Sequence, residues 1–413
     1  MQRTFLHNVF KMMGGSFVGQ LIPFLTLPIL TRFYEPDDFG TLTIFVTIYT
    51  LIGAVSTLKL EFALVGIKDE SEARLTVKLI FRILIVVAVV VSIVTSTSWA
   101  ANNFNMIAEL GWAAYLLGPA VLVFGMLETF NYWFNRVGSY GRLASYRIVQ
   151  NAAAEGGKFG LAFSALQSVG LPLGRFMGEV VTTISHSWKF IKSAEPGLQP
   201  SALKPKDLLV KHKKFPLFST PSVLLGKLVL FVQVSLFLHF FGKEVVGHIG
   251  VVMSFMGAAL AMVSRSFSQV FFKHISDIKD VASIRKEYFK NLRILILIGA
   301  SVIGVSWIVP ASWVTMLLGP KWDVLMPFAR VMSIWLAISF VSAAQSFIYI
   351  RMGKQKVMMF FDALHVLMVI ASIYIGFEVT GTAIGTTWSY TIAQACFYIF
   401  TTVYAIRIIK EPT

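Results

Sequence analysis

The stretch SAEPGLQPSALKPKDLLVKHKK, Ser193–Lys214, is the longest polar segment of the chain and lies almost at its midpoint. It is rich in proline and lysine, a composition typical of a linker between two folded parts. Long apolar sequence extends on either side of it. The segment therefore predicts two lobes, residues 1–192 and 215–413, joined by a basic linker at residues 193–214.

The composition of the whole chain points to a membrane protein. Of its 413 residues 56% are hydrophobic and only 14% are charged, and the mean hydropathy is +0.72. Soluble domains carry about 25% charged residues, so this composition argues strongly against a soluble enzyme. An α-helix of about 20 mainly apolar residues crosses a hydrocarbon core of roughly 30 Å. The sequence thus predicts an all-α polytopic membrane protein.

Twelve apolar windows, six in each lobe, predict twelve transmembrane helices. They lie at residues 9–31, 39–62, 80–100, 111–134, 146–168, 170–191, 216–240, 247–271, 292–310, 324–350, 357–377 and 380–405. Because six is an even number, the two lobes have the same orientation, and an axis along the membrane normal is expected to relate them. A central cavity between two six-helix bundles follows from this arrangement.

The distribution of basic residues predicts the topology. If the N terminus is cytoplasmic, 27 of the 36 Lys and Arg residues fall in inner segments or within three residues of the inner end of a span, and only Arg32, Lys243 and Lys321 fall outside. Inner loops of membrane proteins collect Lys and Arg, so both termini are expected in the cytoplasm. The net charge of +15 is spread over every inner loop. It therefore indicates contact with anionic lipid head groups, and no nucleic-acid partner is expected.

An internal repeat supports two equivalent lobes. A shift of 207 residues aligns RFYEPDDFG, residues 32–40, with HFFGKEVVG, residues 239–247, without a gap. Few residues are identical, but each stretch connects the first two predicted spans of its lobe. The matching topological positions are what favours a true repeat.

Ionisable residues inside the predicted spans are the candidate functional residues, since each costs about 2.5–3.5 kcal/mol at the centre of a bilayer. Glu155 and Lys158 are three residues apart, and Arg175 and Glu179 are four apart. Such spacings bring side chains together on one helix face. For these four residues we expect structural pairing, with substrate contact as the alternative.

The remaining intramembrane cations lack an obvious partner. Lys59 and Glu61, two residues apart, are expected to face different sides of the second helix and not to neutralise each other. Arg265 and Arg330 have no acidic residue within four positions. A cation in a membrane cavity is costly unless an anion neutralises it, and charged residues inside the membrane commonly lie along substrate pathways. The candidate substrate-binding residues are Lys59 and Arg265, followed by Arg330, Lys227, Arg175 and Lys158.

Carboxylates and one imidazole are candidates for ion coupling. Asp362 and His365 are three residues apart in the eleventh span, and Glu61 and Glu155 are further candidates. A carboxylate and an imidazole in one membrane helix can serve a proton relay. The alternative for Asp362 and His365, equally compatible with the sequence, is a hydrogen-bonded polar pair that packs two helices.

The first span contains Pro23 and Pro28, each of which removes a backbone hydrogen bond. They are the candidate helix-bending residues, and static kinks are the alternative. The sequence holds no P-loop, no nucleophile-elbow motif and no cluster of metal-ligand residues. We therefore expect no enzymatic activity, no cofactor and no metal site.

Six segments, in order, resemble one family of transporters. They are SFVGQLIPFLTLPILTRFYEPDDFGTLTIF (residues 16–45), LKLEFALV (58–65), KHKKFPLFSTPSVLL (211–225), SRSFSQVFF (264–272), LLGPKWDVLMPFARV (317–331) and GKQK (353–356). The ordered set is similar to the O-antigen flippases of the polysaccharide transporter family. That family belongs to the superfamily of multidrug, oligosaccharidyl-lipid and polysaccharide (MOP) exporters.

The resemblance implies a fold and a substrate. The fold is the MATE-like arrangement of twelve helices in two lobes, in the bacterial cytoplasmic (inner) membrane. The substrate is an undecaprenyl-pyrophosphate-linked oligosaccharide, O-antigen or a similar repeat unit, flipped from the inner to the outer leaflet by ion-coupled alternating access. Its pyrophosphate would supply the anion that Lys59 and Arg265 lack. A polysaccharide polymerase and a chain-length regulator are the protein partners that the resemblance implies.

Three other functions compete with this one. A cation-coupled multidrug exporter has the same fold but would favour an acidic cavity, whereas the spans carry six basic and five acidic residues. A membrane-embedded polysaccharide polymerase or glycosyltransferase would expose large outer loops, and the predicted outer loops are short. A purely structural scaffold would not need so many charges inside the membrane.

Overall fold

The computed structural model describes residues 2–193, 203–276, 278 and 280–409, and within these ranges the chain is helical with no strand. The long helices are α1 Gln2–Phe33, α2 Pro36–Ser56, α4 Glu70–Thr95, α7 Leu117–Arg136, α8 Tyr140–Leu161, α9 Gln167–Lys192, α11 Thr220–Val252, α12 Ala258–Ser276, α13 Val281–Ile308, α15 Leu325–Ala344, α17 Gln355–Thr380 and α18 Ala383–Ile408. The short helices are α3 Glu61–Leu64, α5 Ser98–Asn103, α6 Asn105–Ala108, α10 Pro205–Lys211, α14 Ala311–Leu318 and α16 Phe347–Arg351.

The all-α membrane fold predicted from composition is confirmed. Each of the twelve predicted windows overlaps a long helix, and eight helical stretches of the described chain are long and apolar enough to cross a membrane. The count of twelve spans and the cytoplasmic termini stay predictions. The predicted end of the second span is wrong, because α2 ends at Ser56 rather than at position 62. Other helices extend past their predicted spans, such as α4, which begins at Glu70, before the third predicted span at position 80.

The predicted internal repeat has a counterpart in the backbone. Gly242 interrupts α11 with φ of 81°, a left-handed conformation that glycine adopts without steric cost. The shift of 207 residues places Gly242 on Glu35, which lies in the break between α1 and α2. Both halves of the sequence therefore change direction at the same aligned position.

Aspartates cap helices that follow polar turns. Asp69 precedes α4, and Oδ2 of its carboxylate accepts hydrogen bonds from the hydroxyl of Ser71 and the amide of Glu72. These bonds hold the pKa of Asp69 below its ordinary value, because they stabilise the ionised form. Asp280 caps α13 in the same way by accepting from the amides of Ala282 and Ser283. The capping carboxylates fix where these two long helices begin.

The described chain forms two compact units. The first, the C-terminal unit, contains Met1–Val18, Leu27–Pro36 and Leu236–Thr413. The second, the N-terminal unit, contains Gly19–Thr26 and Asp37–Ser235. Helix α1 thus contributes residues to both units. The predicted lobe boundaries at residues 192 and 215 stay a prediction.

Within the N-terminal unit, α8 and α9 pack at very short range. A Cβ atom on Gly178 would lie 2.4 Å from the carbonyl oxygen of Gln150, and one on Gly174 would lie 2.5 Å from the amide nitrogen of Lys158. Small residues permit such close approach of two membrane helices. The close packing fixes the polar side chains of both helices relative to one another.

The part of the predicted linker that the structure describes is docked on the N-terminal unit. Leu208 of α10 is buried in a cluster with Leu60, Ile80 and other apolar residues. Nζ of Lys211 lies 2.6 Å from Oε1 of Glu72, at the start of α4. Residues 203–211 therefore belong to the packed structure, whereas residues 194–202 of the predicted linker lie outside the described chain.

Candidate functional site

Lys59 and Glu61 form a buried ion pair directly after α2. Nζ of Lys59 lies 3.1 Å from Oε1 of Glu61. The pair forms because α2 ends at Ser56, and Leu58 and Lys59 both take φ of 53°, which non-glycine residues rarely adopt. The prediction that Lys59 and Glu61 face different sides of one helix and leave each other unneutralised is therefore wrong.

This pair belongs to a wider group of charges in the N-terminal unit. Glu128 of α7 interacts electrostatically with Lys59, Glu61, Arg147 and Lys227. Oε2 of the buried Glu61 has no hydrogen-bond partner within the described ranges. The group, which we call the inner charge cluster, contains three cations and two carboxylates.

Arg147 is not among the candidates predicted from the sequence, because it is the second residue of the predicted fifth span, 146–168, and counts with the cytoplasmic basic residues. Helix α8 begins at Tyr140, which places Arg147 two turns inside the helix. The residues around the start of α8 carry little apolar periodicity, so hydropathy alone sets this boundary too late.

The predicted pairing of Glu155 with Lys158 is confirmed. Nζ of Lys158 lies 2.7 Å from Oε1 of Glu155 on the same face of α8, and both residues are buried. The hydroxyl of Thr26 in α1 donates to Oε2 of Glu155 at 2.9 Å. The local pair is thus extended by a contact that sequence spacing did not reveal.

The predicted pairing of Arg175 with Glu179 is also confirmed, at 3.0 Å between Nη2 and Oε1. Tyr49 of α2 completes a triad with them. Its hydroxyl donates to Oε1 of Glu179 at 2.6 Å and accepts from Nε of Arg175 at 3.3 Å. Tyr49 is fully buried and Glu179 is 1% exposed. Tyr49 lies 130 positions from Glu179, so no local spacing could have identified it.

Arg330 of α15 caps the C terminus of a neighbouring helix. Its Nη2 donates to the carbonyl of Val309 at 3.0 Å, and its Nε donates to the carbonyl of Ser306 at 3.4 Å. The last carbonyls of a helix carry partial negative charge and attract cations. Arg330 therefore has a structural partner in the backbone of α13, which explains why no acidic residue lies near it in sequence.

Arg265 differs from these cations. It lies on α12 of the C-terminal unit with an exposed side chain. Within the described chain Arg265 makes no hydrogen bond or ion pair. Helix α12 continues through Arg265, whereas α2 ends before Lys59. Arg265 is thus a cation on a span-length helix without a carboxylate.

Asp362 and His365 are not bonded to each other. Nε2 of His365 lies 2.7 Å from Oε1 of Gln394 on α18, and its ring stacks on Phe397 with centroids 4.1 Å apart. Asp362 is half-buried and makes no hydrogen bond among the described residues. Its electrostatic neighbour is Tyr398. The imidazole therefore packs two helices together, and Asp362 is left as a separate group.

Pro23 and Pro28 lie in α1, which the structure shows as helical across both positions. Two threonine hydroxyls bond to carbonyl oxygens of α1 near these prolines. The hydroxyl of Thr26 donates to the carbonyl of Ile22 at 3.0 Å, and the hydroxyl of Thr31 donates to the carbonyl of Pro28 at 3.2 Å. The bending role of the two prolines stays a prediction. Among the described residues no group of three His, Cys, Asp or Glu side chains is placed to hold a metal ion.

Comparison with known families decides the class of the protein. The family model described as "Polysaccharide biosynthesis protein" matches residues 29–327, well over half of the chain. The chain belongs to the polysaccharide biosynthesis protein family. A comparison with curated proteins gives no significant match.

Solved structures place this polysaccharide biosynthesis protein in the fold of the MOP superfamily. An inward-facing multidrug resistance MATE family transporter superposes with a TM-score of 0.74 at 14% identity, covering 95% of this chain and 96% of the other. The lipid II flippase MurJ in an inward closed conformation gives 0.72 at 11% identity, covering 98% and 87%. A MOP transporter from Pyrococcus furiosus, described as having a binding pocket of reverse polarity, gives 0.63 at 14% identity, covering 99% and 96%.

The family match and the shared fold confirm the resemblance found in the sequence. The structural neighbours of this polysaccharide biosynthesis protein are transporters and flippases rather than enzymes. The protein is accordingly a multi-pass membrane protein of the MOP transporter fold.

Proposed function

We propose that the protein flips an undecaprenyl-pyrophosphate-linked oligosaccharide from the inner to the outer leaflet of the bacterial cytoplasmic membrane. The observation that carries this proposal is Arg265, an exposed cation on a span-length helix with no carboxylate partner in the described chain. A charged side chain in the hydrocarbon region costs about 2.5–3.5 kcal/mol unless water or an anion compensates it. A pyrophosphate is an anion that a guanidinium binds through paired hydrogen bonds.

The inner charge cluster supports the same class of substrate. Its three cations and two carboxylates leave a surplus of positive charge, even though Lys59 is held by Glu61. The left-handed backbone at Leu58 and Lys59 is a strained conformation of the kind that collects at functional sites. We propose that Lys59, Arg147 and Lys227 attract the anionic head group. Arg330 instead caps the C terminus of α13 through hydrogen bonds to its carbonyls.

Ion coupling is the second part of the proposal. Alternating access needs an ion that binds one state better than the other. We favour Asp362 as the coupling residue, because it is half-buried and makes no hydrogen bond among the described residues. His365, by contrast, is hydrogen-bonded to Gln394. Glu61 and Glu155 are already paired with lysines and are weaker candidates.

The family and the neighbours also allow a different cargo. A MATE-like exporter of organic cations is favoured by the match to a multidrug resistance transporter. A cationic drug, however, would be repelled by Arg265 and by the positive surplus of the inner charge cluster. A polysaccharide polymerase and a chain-length regulator are proposed partners of the flippase rather than alternative activities of this chain.

The decisive experiment reconstitutes the protein in proteoliposomes with a fluorescent lipid-linked oligosaccharide and measures its appearance in the opposite leaflet. Arg265→Glu should reduce flipping at least tenfold, and Arg265→Lys should reduce it less, because lysine keeps the charge but loses the planar fork. Lys286→Glu, which reverses an exposed cation near the start of α13, is the matched control and should leave the rate unchanged.

Two results would contradict the proposal. Flipping at the normal rate by a stably folded Arg265→Glu protein would remove Arg265 from the substrate path. Export of a lipophilic cationic dye by the wild-type protein, without any flipping of the oligosaccharide lipid, would favour the multidrug exporter.

A further inference from the structure

The C-terminal end of α1 contacts α14 and the segment that joins α14 to α15. Nε1 of Trp322 donates to the carbonyl of Thr31 at 3.2 Å, and Nη2 of Arg32 donates to the carbonyl of Met316 at 3.1 Å. Glu35 forms an ion pair with Lys321. All of these residues lie within the C-terminal unit, although Thr31 and Glu35 come from the first quarter of the chain.

Trp322 is buried among aromatic rings. Its side chain is fully buried, and the ring of His248 meets it edge-on with centroids 5.4 Å apart. His248 in turn stacks on Phe328 of α15 at 5.8 Å. Thr31, whose carbonyl accepts the indole hydrogen bond, is 1% exposed. The indole is therefore the well-packed part of the contact.

The ion pair is the loose part of the contact. The side chains of Glu35 and Lys321 are 55% and 42% exposed. Exposed pairs of this kind hold weakly, because water screens the charges and both side chains lose freedom. The contact thus consists of one buried indole, one hydrogen bond from Arg32 and one solvent-screened ion pair, and the indole supplies most of its packing.

Helix α14, beside this contact, presents apolar side chains outward. Trp313 is 66% exposed and Met316 is 80% exposed. In the predicted topology this segment is extracytoplasmic, where tryptophan favours the membrane interface. The carbonyl that receives Arg32 therefore belongs to a helix that the outer leaflet would hold in place.

We propose that Trp322 and Lys321, acting on Thr31 and Glu35, form a latch that keeps the outer side of the transporter closed and must open in each transport cycle. The proposal rests on alternating access, part of the proposed function. In that mechanism the two halves of a repeat transporter rock about a central site. Residues 31–35 precede the predicted linker and residues 316–322 follow it, so this contact joins segments of the two predicted halves, both packed within one compact unit.

Cross-linking tests the latch directly. Glu35→Cys and Lys321→Cys are combined in a Cys396→Ser background and joined by a short, reducible bifunctional thiol reagent. Flipping should fall at least tenfold on cross-linking and recover on reduction, while each single-cysteine protein should flip at the same rate before and after treatment with the reagent. A cross-linked protein that flips within twofold of the untreated one would overturn the latch.

A second measurement does not depend on the substrate. Spin labels at positions 35 and 321 in lipid nanodiscs should give two distance populations, and Trp322→Phe, which removes the indole donor, should enlarge the longer one. Trp313→Phe is the matched control, because Trp313 makes no hydrogen bond to α1 among the described residues. One short distance in every condition would refute the latch. Two populations without flipping of the oligosaccharide lipid would instead refute the proposed substrate.

Discussion

Replacing Arg175 with methionine should destabilise the protein by about 3 kcal/mol, whatever its substrate is. The change leaves the carboxylate of Glu179, which is 1% exposed, without its cation. Breaking a buried ion pair by removing one partner costs about 3–5 kcal/mol. The lower end applies here because the side chain of Arg175 is 30% exposed, so water can replace part of the lost interaction.

Companion variants separate the contributions within the triad. Tyr49→Phe removes the hydrogen bond donated to Glu179, a charged acceptor, together with the longer one accepted from Arg175, and should cost about 1.5–3 kcal/mol. The double variant Arg175→Met with Glu179→Leu should cost less than Arg175→Met alone, since no charge is stranded. The assay is thermal unfolding of the purified protein in detergent at one fixed scan rate, because unfolding of such proteins is often irreversible.

The reasoning would be refuted by an Arg175→Met protein that unfolds at the wild-type temperature. It would equally be refuted if the double variant were less stable than the single one. Either result would mean that Glu179 is neutral in the folded protein, or that solvent already reaches the triad.

Further predictions concern topology, coupling and helix capping. In a Cys396→Ser background, Lys206→Cys should react with an impermeant thiol reagent only from the cytoplasmic side and Asp323→Cys only from the outer side, and labelling of both from one side would contradict the topology. Asp362→Asn should make flipping in proteoliposomes insensitive to an imposed pH difference, and a wild-type response to that difference would eliminate Asp362 as the coupling residue. Arg330→Met removes the C-terminal cap of α13 and should destabilise the protein by about 0.3–2 kcal/mol, which lowers the unfolding temperature. The apparent substrate affinity should not change. A change in substrate affinity without a change in unfolding temperature would mean that Arg330 binds substrate.

Local pairs were the most predictable part of the site. Glu155 with Lys158 and Arg175 with Glu179 were found from spacing, because a helix of known pitch places residues three or four apart on one face. The same rule failed for Lys59 and Glu61, since it assumes that the helix continues. Two consecutive non-glycine residues with positive φ end the helix there, and composition carries no signal for them.

Partners distant in the sequence could not be predicted. Tyr49 reaches Glu179 across 130 positions, and His365 finds Gln394 on the next helix rather than Asp362 on its own. The guanidinium of Arg330 donates its hydrogen bonds to backbone carbonyls. Every residue has a backbone carbonyl, so an inspection of the sequence for acidic side chains does not reveal this partner. Hydropathy identified the membrane helices because lipid acts on whole segments, whereas these contacts depend on how single side chains meet after packing.

The helix break at Gly242 also bears on the origin of the chain. A protein made by duplicating one ancestral half would inherit the same turn twice, and its two copies would then accumulate different side chains. Positions 35 and 242 show this pattern, with glutamate in one and glycine in the other at the same aligned break. This common break lies in the path of the main chain, and an alignment scored on side-chain identity would pass over it.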